Sequence, residues 1–168
     1  SYLKYIAVII LLVAVQKTLI WLIALSNYNI APDLVILMVI YVGIARGHIE
    51  GSIIGFLSGL MIDMLSGSFL GLSALSYTLA GFIAGYFCIR EREEFLKKYF
   101  LIGIVFLCAL IGNSIYFLIF YQGSPISVFN IFLIYVLSTT TYTTIVGSLF
   151  ILLLKTVKKL LTADGLHN

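Results

Sequence analysis

Residues 47–65 read GHIEGSIIGFLSGLMIDML, an apolar run in which glycine returns at every fourth position, at Gly47, Gly51, Gly55 and Gly59, with Asp63 next in the same register. A spacing of four places these residues along one side of an α-helix, where the missing side chains let a second backbone approach closely. Such a ladder matters most in lipid, where no hydrophobic effect drives one helix onto another and association depends on close packing. A second series of small residues, Ser73, Gly81 and Gly85 around Tyr77, runs through the next apolar stretch. Two uses fit both series: packing of these helices on each other, or a docking face for the transmembrane helix of a partner.

The surrounding sequence has the same character. Of 168 residues, 62% are hydrophobic and only 10% are charged, and the charges fall in short clusters. That composition describes an integral membrane protein. A bilayer core of about 30 Å needs roughly 20 residues per helix, so the chain has room for about six spans and little else. Backbone groups in lipid must be paired within the protein, and these run lengths suit helices rather than the short alternating strands of a barrel. The expectation is an all-α, six-transmembrane-helix bundle forming one domain over 1–168, with helices near 5–25, 33–45, 48–65, 69–89, 96–121 and 126–154.

Some of these runs carry further information. The first is too long for a signal-peptide core and is not followed by a small-residue cleavage site, so it is expected to remain as a transmembrane helix. Pro32 and Asp33 open the second, proline being tolerated at a helix start and aspartate favoured by the helix dipole. The second run is short for a span. It is expected either to tilt in thinned lipid or to be sheltered by protein.

Charge sets the orientation. Under six spans, every lysine and arginine except Lys17 falls on one side of the membrane, at Lys4, Arg46, Arg90, Arg92, Lys97, Lys98, Lys155, Lys158 and Lys159, and the three opposite loops hold none. Both termini and the turns at Arg46 and Arg90 are therefore expected in the cytoplasm. Glu93 with Lys97 and Glu94 with Lys98 have the favourable i,i+4 order, so that loop is expected to extend the fifth helix. The lysines after the last run should meet anionic headgroups or a cytoplasmic partner.

A few polar residues interrupt the apolar pattern. Asp63 lies about 24 Å along the helix from Gly47, near the far edge of the bilayer, where it either caps the Ser66–Ser68 turn or serves function. Lys17, with Gln16 beside it, sits deeper; it either snorkels to the surface or pairs with Asp33 or Asp63. The two aspartates could approach each other at the outer face. Ser138 to Thr144 supply a run of hydroxyls that bond within their helix, bond across to a neighbour, or line a polar pocket.

The remaining chemistry is sparse. His48 and His167 are isolated, no residues have metal-ligand spacing, no nucleophile has a nearby base, and the glycines lie within apolar helix rather than a phosphate-binding loop. Cys88 and Cys108 lie in apolar runs and read as small hydrophobes rather than a disulfide. No metal, cofactor, nucleic-acid partner or enzymatic activity is expected.

From Pro32 to Gly85 the sequence resembles the bacterial rod shape-determining protein MreD family. The resemblance lies in Pro32-Asp33 with the apolar run Leu34 to Tyr41, then Gly59 through Ser68, then Leu70-Gly71-Leu72 and Ala74-Leu75. Elsewhere it rests on length, hydrophobicity, the span pattern and Gln16, and Lys17 departs from the family pattern. The resemblance implies a non-enzymatic component of the inner-membrane elongation machinery. Such a component binds the single-pass protein MreC and acts, through it, with MreB filaments and the glycosyltransferase and transpeptidase that build lateral peptidoglycan. It also implies a fold similar to the substrate-binding subunits of energy-coupling-factor transporters. That similarity keeps open a substrate-capture subunit, and the outer carboxylates with the hydroxyl-rich sixth helix keep open a protein that binds a lipid or lipid-linked precursor. The residues to watch are Gly51, Gly55, Gly59, Gly81 and Gly85 for helix packing or partner binding, and Gln16, Lys17, Pro32, Asp33 and Asp63 for polar function.

The charge pattern generates a direct test. A cysteine placed at Ser124 is expected to react with an impermeant maleimide added outside intact cells or spheroplasts, because the outer loops carry no basic residues. Labelling only after access from the cytoplasmic side would reverse the topology.

Overall fold

In the computed structural model, the described residues are 32–67, 69–87 and 98–149, together with helical Leu11 and Ala14 in the first apolar run. They are helical, with no strand among them. The helices are α1 (Leu34–Arg46), α2 (His48–Ser66), α3 (Leu72–Tyr86), α4 (Lys98–Phe120) and α5 (Val128–Leu149), whose early part, Ile131–Leu137, is π-helical. These correspond to the second through sixth predicted runs. Three of them, α2, α4 from Phe100, and α5, are long and apolar enough to cross a membrane; α1 and α3 are apolar but shorter.

Helix α1 owes its place to β-branched residues. Val35, Ile36, Val39 and Ile40 follow the helical spacing and are fully buried, and their stiff side chains lose little rotamer freedom on packing. Seven of its 13 residues are buried. The short second run is thus sheltered by protein. Its core partners are Ile54 on α2, Tyr77, Ala80 and Ala84 on α3, and Ile104, Val105, Cys108 and Ala109 on α4.

A single residue, Gly47, joins α1 to α2. Its φ of 103° lies outside the region most side chains adopt, and its amide still bonds the carbonyl of Gly43 at 2.8 Å. The chain therefore reverses without a loop. The next reversal is wider: α3 starts at Leu72 rather than at Phe69 as expected, because Gly71 takes a left-handed φ of 99° and sets the helix start there.

Helices α2 and α3 make the most extensive contact in the structure, and α3 also packs on α1 and α4. The glycine ladder lies in that contact. A methyl group on Gly51 would stand 2.6 Å from the carbonyl oxygen of Gly81; on Gly55 it would overlap the backbone of Tyr77; on Gly59, that of Ala74. From the other side, Gly81 meets the Gly51 carbonyl and Gly85 meets the backbone of His48. Gly43 of α1 also faces Gly81, so three helices converge on the same small residues. The ladder residues bring backbones together inside the protein.

This geometry sets a stability prediction. Gly55→Leu should lower the thermal unfolding midpoint in detergent, since overpacking against an immovable backbone costs about 1–3 kcal/mol or more. Gly103→Leu serves as the comparison, because a methyl there meets nothing within 4 Å. Equal midpoints for the two variants would show that α2 and α3 do not cross at backbone contact.

Candidate functional site

Polar groups gather where α1, α3, α4 and α5 meet. Asp33 is the N-cap of α1, and its Oδ1 accepts from the amides of Val35 at 3.2 Å and Ile36 at 3.0 Å. Its other oxygen accepts the Tyr77 hydroxyl of α3. Its own amide donates to Thr143 Oγ1 of α5 at 3.0 Å. One residue thus ties three helices together at the start of the helix that carries the core. Pro32, buried just before it, supplies no amide of its own that would need a partner.

Two more links lie nearby in the fold. Asn113 Nδ2 of α4 donates to Thr140 Oγ1 of α5 at 3.1 Å, with both residues buried. Ser76 of α3 donates to the Gly112 carbonyl of α4. Thr140 and Thr143 come from the predicted hydroxyl run, and the structure divides that run by face. Thr140 and Thr143 reach neighbouring helices, whereas exposed Thr141 bonds back to Leu137 and Ser138 of its own helix at 2.9 Å.

Asp63 has a separate task. A carboxylate in the last turn of α2 is poorly placed for its own helix dipole, and the structure turns it onto the start of α3. It accepts from the amides of Gly71 at 2.8 Å, Ser73 at 3.1 Å and Ala74 at 3.4 Å, and it is 1% exposed. Those amides are among the orphan donors of a helix start, and a charged acceptor typically contributes about 1.5–3 kcal/mol per bond. The cap expected on the Ser66–Ser68 turn is thus made further on, at the start of the following helix.

Each carboxylate has donors of its own and ties a helix start in place. Among the described residues, no group of three or more His, Cys, Asp and Glu side chains is placed to hold a metal ion. Gln16 and Lys17 lie outside the described residues, as do the charged segment 90–97 and the lysines after 154.

Aromatic rings mark the two ends of the bundle. At the Arg46 end, His48 stacks on Tyr86 with centroids 5.8 Å apart and meets the edge of Phe82. At the other end Tyr116 stacks on Phe120, and Tyr121 lies 4.7 Å from Tyr135 of the π-helical turn. Such belts belong at the membrane–water interface. Phe100 to Phe120 spans 21 residues, about 30 Å of helix, which matches the hydrocarbon thickness.

Sequence reasoning missed Asn113 and Ser76, and left open which hydroxyls of the Ser138–Thr144 run bond across to a neighbour. Asn113 had a usable signal, a lone amide in the middle of a strongly apolar run. Ser76 had none, because serine in a membrane helix usually bonds its own backbone, as Ser58 does to Ile54 at 2.7 Å.

No curated protein and no solved structure matches the chain significantly. The family model of the rod shape-determining protein MreD matches residues 2–162. An all-helical, membrane-compatible bundle in which Asp33 and Asp63 tie the helix starts is what the matched sequence builds here, and the chain belongs to the MreD family.

Proposed function

We propose that this protein is a non-enzymatic scaffold of the rod-shape machinery in the bacterial inner membrane, with six spans and both termini in the cytoplasm. In this reading it binds MreC and helps position lateral peptidoglycan synthesis, acting through MreC with MreB and the wall-building glycosyltransferase and transpeptidase. The observation that carries the reading is the family match along nearly the whole chain. The proposed bundle resembles the substrate-binding subunits of energy-coupling-factor transporters in fold.

The interior supports a scaffold over a capture protein. Asp33, Tyr77, Thr143, Asn113, Thr140 and Ser76 all bond one another or nearby backbone. A ligand entering this layer would have to replace those bonds, each costly to leave unmade in a dry interior. Partner binding is accordingly assigned to the outside of the bundle. The residues Gly51, Gly55, Gly59, Gly81 and Gly85 would shape that surface from within by fixing how α2 and α3 cross.

Affinity purification from native membranes tests the reading, with MreC expected to co-purify at stable stoichiometry. Its absence under conditions that preserve the fold would remove the scaffold proposal. Within that assay, Asp63→Ala should weaken both cell-shape complementation and MreC recovery more than Asp164→Ala, at matched protein levels. The reason is local: alanine leaves the Gly71, Ser73 and Ala74 amides without their acceptor. Equal rescue by the two variants would show that this cap is dispensable.

A further inference from the structure

We infer that the tip of the α2–α3 hairpin is submerged in the lipid of the leaflet farther from Arg46, with the Asp63 carboxylate taking the place of water for the backbone amides there. Length supplies the first argument. Helix α2 starts beside Arg46 and Glu50, which pair at 3.5 Å and, as charged groups, belong at the membrane surface, and its 19 residues rise about 28 Å. Helix α3 ends at the same level, where Tyr86 stacks on His48, and its 15 residues rise only about 22 Å. Across a hydrocarbon core of about 30 Å, α2 only just reaches the far boundary and α3 stops short of it, so the turn between them lies at or beneath the headgroups, and any tilt lowers it further.

Composition supplies the second. The tip exposes Met64 by 74%, Leu65 by 61%, Phe69 by 73% and Leu70 by 74%. No charged residue occurs between Asp63 and Arg90. The turn after α4 at the same end is the contrast. Helix α4 has 23 residues, about 34 Å, long enough to emerge, and the turn it leads into is Gln122, Gly123, Ser124 and Pro125. The turn after α4 is polar throughout, whereas the α2–α3 turn passes from Ser66, Gly67 and Ser68 into the exposed Phe69 and Leu70. Continuity adds to this, since exposed Ile49, Ile53, Phe56 and Leu57 extend the apolar surface down α2.

Backbone pairing supplies the third. A turn within lipid has no water for its amides, so each needs a partner in the protein. Where the turn passes into α3, from Gly71 to Leu75, each amide has one. Gly71, Ser73 and Ala74 donate to Asp63, Leu72 donates to the Phe69 carbonyl at 3.2 Å, and Leu75 to the Gly71 carbonyl at 2.9 Å. The buried carboxylate thus removes the need for water at the start of α3, the part of the tip nearest the core. The inference depends on depth alone and holds whichever face of the membrane is cytoplasmic.

Tryptophan fluorescence tests it in the full chain. Phe69→Trp and, separately, Leu70→Trp are placed in a Trp21→Phe background, with Gln122→Trp as the comparison. The proteins are reconstituted into phosphatidylethanolamine–phosphatidylglycerol vesicles, with iodide on both sides or with lipids brominated near the top of the acyl chains. Tip tryptophans are expected to be quenched by the brominated lipid and several-fold less sensitive to iodide than Gln122→Trp. Iodide quenching equal to that of Gln122→Trp would place the tip in water. Protection from both quenchers would mean that protein, such as a second copy of the chain, covers it. Either result overturns the inference, and agreement between the two tip variants guards against a local folding defect in one of them.

Discussion

The structure depends on two backbones crossing with no side chains between them. Lipid tails are as apolar as leucine, so α2 and α3 gain nothing by merely hiding apolar surface from water. They gain by dispersion at short range, which requires that Gly51, Gly55 and Gly59 meet Gly81, Tyr77 and Ala74 at backbone distance. Because α3 also contacts α1 and α4, the position set by this crossing is passed to the rest of the bundle. Gly43 brings α1 into the same junction, and the single-residue link at Gly47 leaves α1 little freedom to sit elsewhere.

Close packing fixes distance but specifies sequence register poorly, since one small residue resembles the next. The polar layer supplies what the ladder lacks. Asp33 can satisfy Tyr77 and Thr143 together only if α1, α3 and α5 share one axial alignment, and Asn113 with Thr140 adds an independent check between α4 and α5. In a low-dielectric interior a slipped register would strand these groups unpaired. The π-helical turn at Ile131–Leu137 works in the same direction. A wider turn rotates the remainder of α5 about its axis, and this one lies just before Thr140 and Thr143.

Much of this arrangement is legible in the sequence because the membrane narrows the choices. Hydropathy and turn residues place both ends of α1 and α2 and the far end of α4 within a residue, and the spacing of glycines identifies the face on which α2 packs. What the spacing cannot say is whether that face meets another helix of the same chain or of a partner, since the chemistry of both contacts is identical. Only the position of α3 decides it. The start of α3 is misplaced for a similar reason: Phe69 and Leu70 read as helix by hydropathy, and the left-handed Gly71 that ends the turn looks like one more small residue. Asp63 is visible as an anomaly, but its partners lie eight to eleven residues away across a reversal, beyond what helical periodicity encodes.

The same constraints bear on how such a bundle could work. Its buried polar groups are committed to one another, so energy released by a partner's binding has few loose internal contacts to rearrange. A rigid body of this kind transmits position better than it transmits conformational change, because packed interiors shift between discrete arrangements rather than deforming smoothly. The lipid-facing surface is different. It carries exposed Phe56, Leu57, Leu75 and Phe82 on α2 and α3, held at fixed spacing by the crossing beneath them. A partner helix laid on that surface would meet a pattern that cannot adapt, and selectivity would then come from shape. The inward-facing ladder is the cause: glycines hidden between α2 and α3 determine which large side chains are presented outside, and at what separation.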